Sequence, residues 1–135
     1  MSLLYFEDFP IGETVEFGDR LVTAEEIVDF ARQFDPQPFH LDDAAARGTQ
    51  AGGLIASGWQ TASLLMRMCC DEFVLRSASR GSPGVGELNW VKPVRPGDRL
   101  RGGGLRQRVE ERRFADIGQS DDAAFEAHEP RPSPS

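Results

Sequence analysis

The chain has no apolar run near the roughly 20 residues that cross a bilayer. Its amino end, Met1-Ser2-Leu3-Leu4-Tyr5-Phe6-Glu7-Asp8, lacks the basic start of a secretory signal. A cytoplasmic location is the resulting expectation. Cysteine is scarce: Cys69 and Cys70 are the only two, and they are adjacent. Neighbouring side chains on a helix point to different faces, so a disulfide between them would be strained. No third or fourth ligand stands nearby to complete a zinc site. The pair reads as structural thiols of a reducing compartment. Positive charge is short as well. With a formal net charge of −7, the surface would repel nucleic acid and an anionic membrane over most of its area, so neither partner is expected. Gly52-Gly53 is too little for a phosphate loop, and the residues around Ser57 do not form the G-x-S-x-G elbow of a serine nucleophile. What remains is a single soluble domain, since 135 residues at 39% hydrophobic suffice for one core without disulfides or metals.

The order of elements follows from pattern. Thr14-Val15-Glu16-Phe17 and Leu21-Val22 suit a strand region interrupted at Gly18-Asp19, with Phe6, Phe9 and Ile11 packing over the fold. Thr23 with Glu26 forms a capping box, and Ile27, Phe30, Ala31 and Phe34 recur at helical spacing, which predicts a helix over 24–34 that buries this stripe. Pro36 ends it and leaves Asp35 just past its carboxyl end. Asp42 to Arg47 suits a short helical turn, and Gly48 to Gly53 a glycine-rich loop. From Gly58 onward Trp59, Ala62, Leu65, Met66, Cys69 and Phe73, with Leu64, Met68 and Cys70, make a helix apolar on most of its circumference, expected to be central and buried with Ser57 as its N-cap. Val85 to Val91 alternates like a strand, Lys92 to Asp98 is a turn, and Arg99-Leu100-Arg101 begins the returning antiparallel strand. The fold class is α+β, a sheet wrapped against a long helix. From Gly102 to Ser135 the large apolar residues are too sparse for two further core strands. Glu110 to Arg113 and Asp121 to Ala127 suit marginal helical turns at most, and 130–135 is expected to be disordered.

The chemistry concentrates in Asp35-Pro36-Gln37-Pro38-Phe39-His40. Proline fixes its own φ and disfavours helical geometry in the residue before it, so a stiff, non-helical loop is predicted to present a carboxylate and an imidazole five positions apart. At neutral pH the two offer an anionic acceptor and a group that can take or give a proton, with ordinary pKa values of about 3.9 and 6.5. Each alone is more commonly a turn residue or a hydrogen-bonded loop histidine. Together they can activate a water. The helix start at Ala56-Ser57-Gly58 adds unpaired N–H groups and a helix dipole suited to a carbonyl oxygen that gains charge, and Gly58 has no side chain to block approach. Such a set suits adding water to, or removing it from, an α,β-unsaturated carbonyl, and equally suits thioester hydrolysis. Lys92, Arg95, Arg99 and Arg101 form a small basic cluster, ordinarily a solvated face but able to meet an anionic ligand.

These residues resemble the MaoC-like dehydratase family, which includes the (R)-specific enoyl-CoA hydratases and has the hot-dog fold. The family signature Asp-x-Asn-Pro-x-His is met by Asp35 to His40, with Gln37 in place of Asn, so any hydrogen bond made by that Asn must be re-formed or lost. Ala51 to Gly58 is similar to the family's lead into the hot-dog helix, and Leu88 to Asp98 to its strand-turn-strand. The resemblance implies a hot-dog domain over 1–101, followed by an atypical C-terminal segment over 102–135 that leaves the sheet incomplete. It implies that Asp35 and His40 hold and deprotonate the water added to C3 of a trans-2-enoyl thioester and return a proton to C2. Gly58 N–H would polarise the thioester carbonyl, and Ser57 would support the hydrogen bonding. It further implies an acyl-CoA substrate, a homodimer, and no metal or redox cofactor. Two alternatives stay open: a hot-dog thioesterase, and a catalytically silent acyl-binding or interaction protein.

Overall fold

The computed structural model describes residues 2–10, 12–105, 116–119 and 124–125. Its main elements in chain order are β1 (Thr14–Leu21), α1 (Ala24–Phe34), α2 (Pro38–Leu41), α3 (Asp43–Arg47), α4 (Gly58–Glu72), β2 (Arg99–Leu105), β3 (Asp116–Gln119) and β4 (Ala124–Phe125). The strands form one antiparallel sheet in the order β1-β2-β3-β4. The long helix α4 lies against β1 and β2. This is the α+β arrangement of a hot-dog fold, an antiparallel sheet on one long helix.

Strand β1 is continuous where the sequence pattern suggested an interruption. The register with β2 shifts between Phe17 and Arg20, so Gly18-Asp19 is absorbed as a bulge. In α1 the cap forms: Thr23 is extended and its Oγ1 accepts from Glu26 N–H at 3.2 Å, while the Glu26 carboxylate returns to the Thr23 hydroxyl at 3.3 Å in place of the backbone N–H of a full capping box. Ile27 and Ala31 are fully buried, and Val28 packs on the core. Phe34 does not complete the buried stripe. It is 69% exposed, because α1 ends there and its last turn projects past the core. Its ring rests instead on Phe30, with centroids 5.0 Å apart. The amino-terminal segment is tied down by Leu4, which bridges Ser77, and by Phe9, edge-on to Phe73 at 6.0 Å. Ile11 lies outside the described residues.

The expectation that α4 is buried all round needs correction. Gln60, Thr61 and Met68 are buried and Leu64, Leu65 and Cys69 partly so, but Trp59 and Met66 are 62% and 53% exposed. One sheet covers one face of a helix, and among the described residues no second layer covers the face that bears Trp59 and Met66. The strand expected over Val85 to Val91 is also absent: this stretch is irregular, with Val85 and Val91 exposed. Alternation defines a ribbon with two faces, yet it cannot supply the neighbouring strand that completes a ladder.

Strand β2 runs through the triglycine to Leu105, crossing the expected boundary at residue 101. Phe17 pairs with Gly102 across the sheet, and a Cβ on Gly102 would lie 2.6 Å from the Phe17 ring. The glycine therefore makes room for an aromatic ring that closes the core beneath it. Two strands follow where sparse apolar residues argued against them. In β3, Ile117 pairs with Gly102 of β2, and with Phe125 of β4. Sheet membership is a matter of backbone hydrogen bonds, which apolar counting does not register. Ala124–Phe125 is strand, not part of a helical turn. The turn expected at Glu110 to Arg113 and the tail at 130–135 lie outside the described residues.

Candidate active site

Asp35 closes α1. Its N–H donates to Ala31 C=O at 2.9 Å, after which the backbone leaves helical space (φ −152°, ψ 67°), as the following Pro36 requires. Gln37 is extended, and Pro38 opens α2 at the first helical position, where its missing N–H is no loss. His40 is thus carried by a short helix and not by the loop predicted for it. That turn points the imidazole back along the chain, bringing Nε2 to 3.3 Å from Asp35 Oδ2.

The segment leading into α4 arrives from the other side. Ile55 N–H donates to Phe39 C=O at 3.3 Å and Ala56 N–H to Val94 C=O at 2.8 Å. These bonds hold Ile55 C=O 2.7 Å from His40 Nδ1. A carbonyl oxygen only accepts, so Nδ1 carries its hydrogen and proton exchange is left to Nε2, the atom facing the carboxylate.

Ser57 is fully buried and donates from Oγ to Asp35 Oδ2 at 2.7 Å. It occupies the N-cap position of α4 as expected, yet its side chain makes no cap bond. A hydrogen bond to an ionised acceptor is roughly twice as strong as a neutral one, which explains the diversion. Ser57 C=O takes the N–H groups of Gln60 and Thr61, leaving the N–H groups of Gly58 and Trp59 without intrahelical partners at the positive end of a 15-residue helix.

Gln37, the departure from the family signature, is one methylene longer than Asn but reaches the site. Its Nε2 donates to Asp35 Oδ1 at 2.7 Å. Partial burial works against a charged Asp35, but the Gln37 and Ser57 hydrogen bonds and the neighbouring His40 outweigh it and hold the carboxyl below its ordinary range. The result is an anionic acceptor fixed at both oxygens beside a buried imidazole.

The structure brings His40 and Ser57 onto the same Asp35 oxygen and sets Gly58 next to Ser57 on the helix start. The reason for glycine at 58 differs from the one expected. A Cβ there would lie 2.4 Å from the Trp90 ring, so the indole fills that side, edge-on to Trp59 at 5.6 Å. Sequence reasoning missed the Ile55 carbonyl, which is backbone and leaves no side-chain signal. It also missed Gln60, buried at 4% exposure with an Oε1 that finds no hydrogen-bond partner among the described residues. The basic cluster does not form one anion site: Arg99 pairs with Asp19 at 3.0 Å and Arg95 donates to Ala51 C=O. Among the described residues no cluster of metal ligands occurs, and no helix is long and apolar enough to cross a membrane. Cys69 and Cys70 are free thiols. Burial, with Cys70 beside it, pushes the Cys69 thiol up to about 11.

A carboxylate and an imidazole thus meet at the start of the one long helix that packs on the antiparallel sheet of a hot-dog fold. The chain belongs to the MaoC-like family: residues 7–123 match the MaoC like domain, past the boundary expected at 101. It is 34% identical to the MaoC-like dehydratase from Rhodospirillum rubrum, with 92% of each chain covered and a TM-score of 0.75. It is 30% identical over 94 residues to the uncharacterized protein YdeM of Bacillus subtilis (strain 168), covering 70% of this chain and 67% of that one. The fold is also that of the (R)-hydratase from A. caviae involved in PHA biosynthesis, at 24% identity, 88% and 92% coverage and a TM-score of 0.66.

Proposed function

We propose that the protein is an acyl-thioester hydro-lyase that interconverts a trans-2-enoyl-CoA and an (R)-3-hydroxyacyl-CoA. The observation that carries this reading is the contact set of Asp35 Oδ2, His40 Nε2 and Ser57 Oγ at the amino end of α4. A water hydrogen-bonded to both the carboxylate and Nε2 is oriented by Asp35, which stays ionised because its hydrogen bonds favour the charged form. As the water oxygen bonds to C3, one of its protons passes to Nε2, and the electron pair of the C2–C3 double bond moves toward the thioester oxygen. The Gly58 N–H stabilises that oxygen. The proton on Nε2 then goes to C2, so one water is added with no net proton gained or lost. Dehydration is the reverse, and no metal or redox cofactor takes part.

A thioesterase reading finds less support. It calls for a carboxylate on the long helix near the reacting carbonyl, whereas Asp71 and Glu72 stand at the far end of α4 and Asp71 is paired with Arg67 at 3.1 Å. The functional unit in this reading is a homodimer, supported by the exposed Trp59 and Met66 on α4. Crotonyl-CoA separates the readings. Loss of the enoyl absorbance without free thiol means hydration, free thiol means hydrolysis, and binding without either means a silent acyl binder. Asp35→Asn and His40→Ala are expected to abolish hydration in folded protein. Turnover near the parent's in both would overturn their roles.

A further inference from the structure

The segment from Ala51 to Ser57 bears two groups that touch the dyad, the Ile55 carbonyl on His40 Nδ1 and the Ser57 hydroxyl on Asp35. Neither is held by the dyad alone. At the upstream end two charged side chains from distant parts of the chain grip the same loop. Asp43, first residue of α3, accepts Leu54 N–H on Oδ1 at 2.9 Å. Arg95, from the turn before β2, donates to Ala51 C=O at 2.5 Å. Both converge on Gly53: a Cβ there would lie 3.3 Å from an Arg95 guanidinium nitrogen and 3.4 Å from Asp43 Oδ1. Gly53 has φ +155°, so the loop takes a conformation that a side chain would both strain and crowd.

Asp43 is anchored in turn by Arg47 at 2.8 Å. The Leu54 N–H holds its carboxyl below the ordinary range, helped by the charges of Arg47 and Arg95. Arg95 is fixed at its backbone by Asp98, which accepts its N–H at 2.8 Å. One turn of helix and one turn of the sheet are thus joined through the loop between them. Leu54, held by Asp43, is followed directly by Ile55, whose carbonyl selects the His40 tautomer.

We infer that Asp43 and Arg95 act as a pair of positioning residues, clasping the 51–54 loop so that the Ile55 carbonyl keeps the hydrogen of His40 on Nδ1 and leaves Nε2 to exchange protons. Its catalytic consequence rests on the hydro-lyase reading above, but the structural claim does not. Neither side chain touches the dyad, so the effect is on kcat and tautomer, with KM little changed.

The test uses the whole chain labelled with ¹⁵N-histidine. In the parent, His40 is expected to show the Nδ1-protonated tautomer. In Asp43→Ala and Arg95→Met, each verified as folded by circular dichroism, its ring nitrogens should move toward a mixture of tautomers and kcat on crotonyl-CoA should fall about tenfold, with KM within about twofold. Arg95→Lys, which keeps one donor for Ala51 C=O, should restore much of both. Asp43 is exposed, so its substitution leaves the core intact. His40 signals unchanged from the parent in folded Asp43→Ala overturn the inference. An altered tautomer in a protein whose parent never hydrates crotonyl-CoA supports the clasp while removing the hydro-lyase reading.

Discussion

Replacing Ser57 by alanine removes one oxygen from a fully buried site, and its cost can be worked from geometry. The hydroxyl donates at 2.7 Å to a carboxylate, and a hydrogen bond to a charged group contributes about 1.5–3 kcal/mol. Because Oγ caps nothing, the about 1 kcal/mol of a lost N-cap should not be added. The penalty is therefore tied to the charge on Asp35, which gives it a pH signature. The folded-state pKa of Asp35 is depressed. A depressed carboxyl contributes stability that is fully present above the unfolded value of about 3.9 and is lost as pH falls through the folded value. Ser57→Ala raises the folded value again, so the variant is less stable than the parent by about 1.5–3 kcal/mol at pH 7. In acid the gap narrows toward the about 1 kcal/mol of a neutral hydrogen bond. Urea unfolding followed by circular dichroism at pH 7 and pH 3 measures both gaps. An equal or larger gap at pH 3, or none at pH 7, refutes the assignment of the hydroxyl to the carboxylate. If the interaction strengthens by the same amount on reaching the transition state, turnover falls about tenfold to a hundredfold, at about 1.4 kcal/mol per factor of ten.

Gly58→Ala forces a methyl group into the Trp90 ring and should cost about 1–3 kcal/mol of overpacking. Its signs are a lower thermal midpoint and shifted tryptophan emission, and parent-like values of both would show that the indole does not pack there. Met66→Glu puts charge on an exposed apolar position of α4. Light scattering should then report a dimer for the parent and a monomer for the variant, and an unchanged dimer would place the interface elsewhere. With a thiol pKa of about 11, about one Cys69 in a thousand is thiolate at pH 8. Alkylation by iodoacetamide, followed by mass spectrometry of the peptide, should be slow at Cys69 until urea is added. Rapid labelling of the native chain would contradict its burial.

Local signals in the sequence carried far where the cause was local. The α1 cap at Thr23 and Glu26, the stop at Pro36 and the turn before Arg99 all depend on residues within a few positions, and the structure has each of them. Signals failed where the partner is distant or is backbone. The Val85 to Val91 alternation has no strand beside it among the described residues. Strands β3 and β4 join the sheet through backbone pairing that sparse apolar residues did not foretell. At the site, the approach of Asp35 to His40 was legible from the proline-bounded spacing. The transfer of Ser57 from cap to carboxylate was not, since a serine before a helix carries the same pattern in either use.

The imidazole of His40 is oriented by a main-chain oxygen, and this affects how the site can vary. Every amino acid at position 55 supplies the same carbonyl, so substitution there leaves the orienting group in place. Only proline alters the local pattern, by deleting the N–H that Ile55 gives to Phe39. A library scanning this chain would mark His40 as intolerant and pass over the atom that aims it. The orienting function is stored in the path of the backbone, and it can change only when that path is moved.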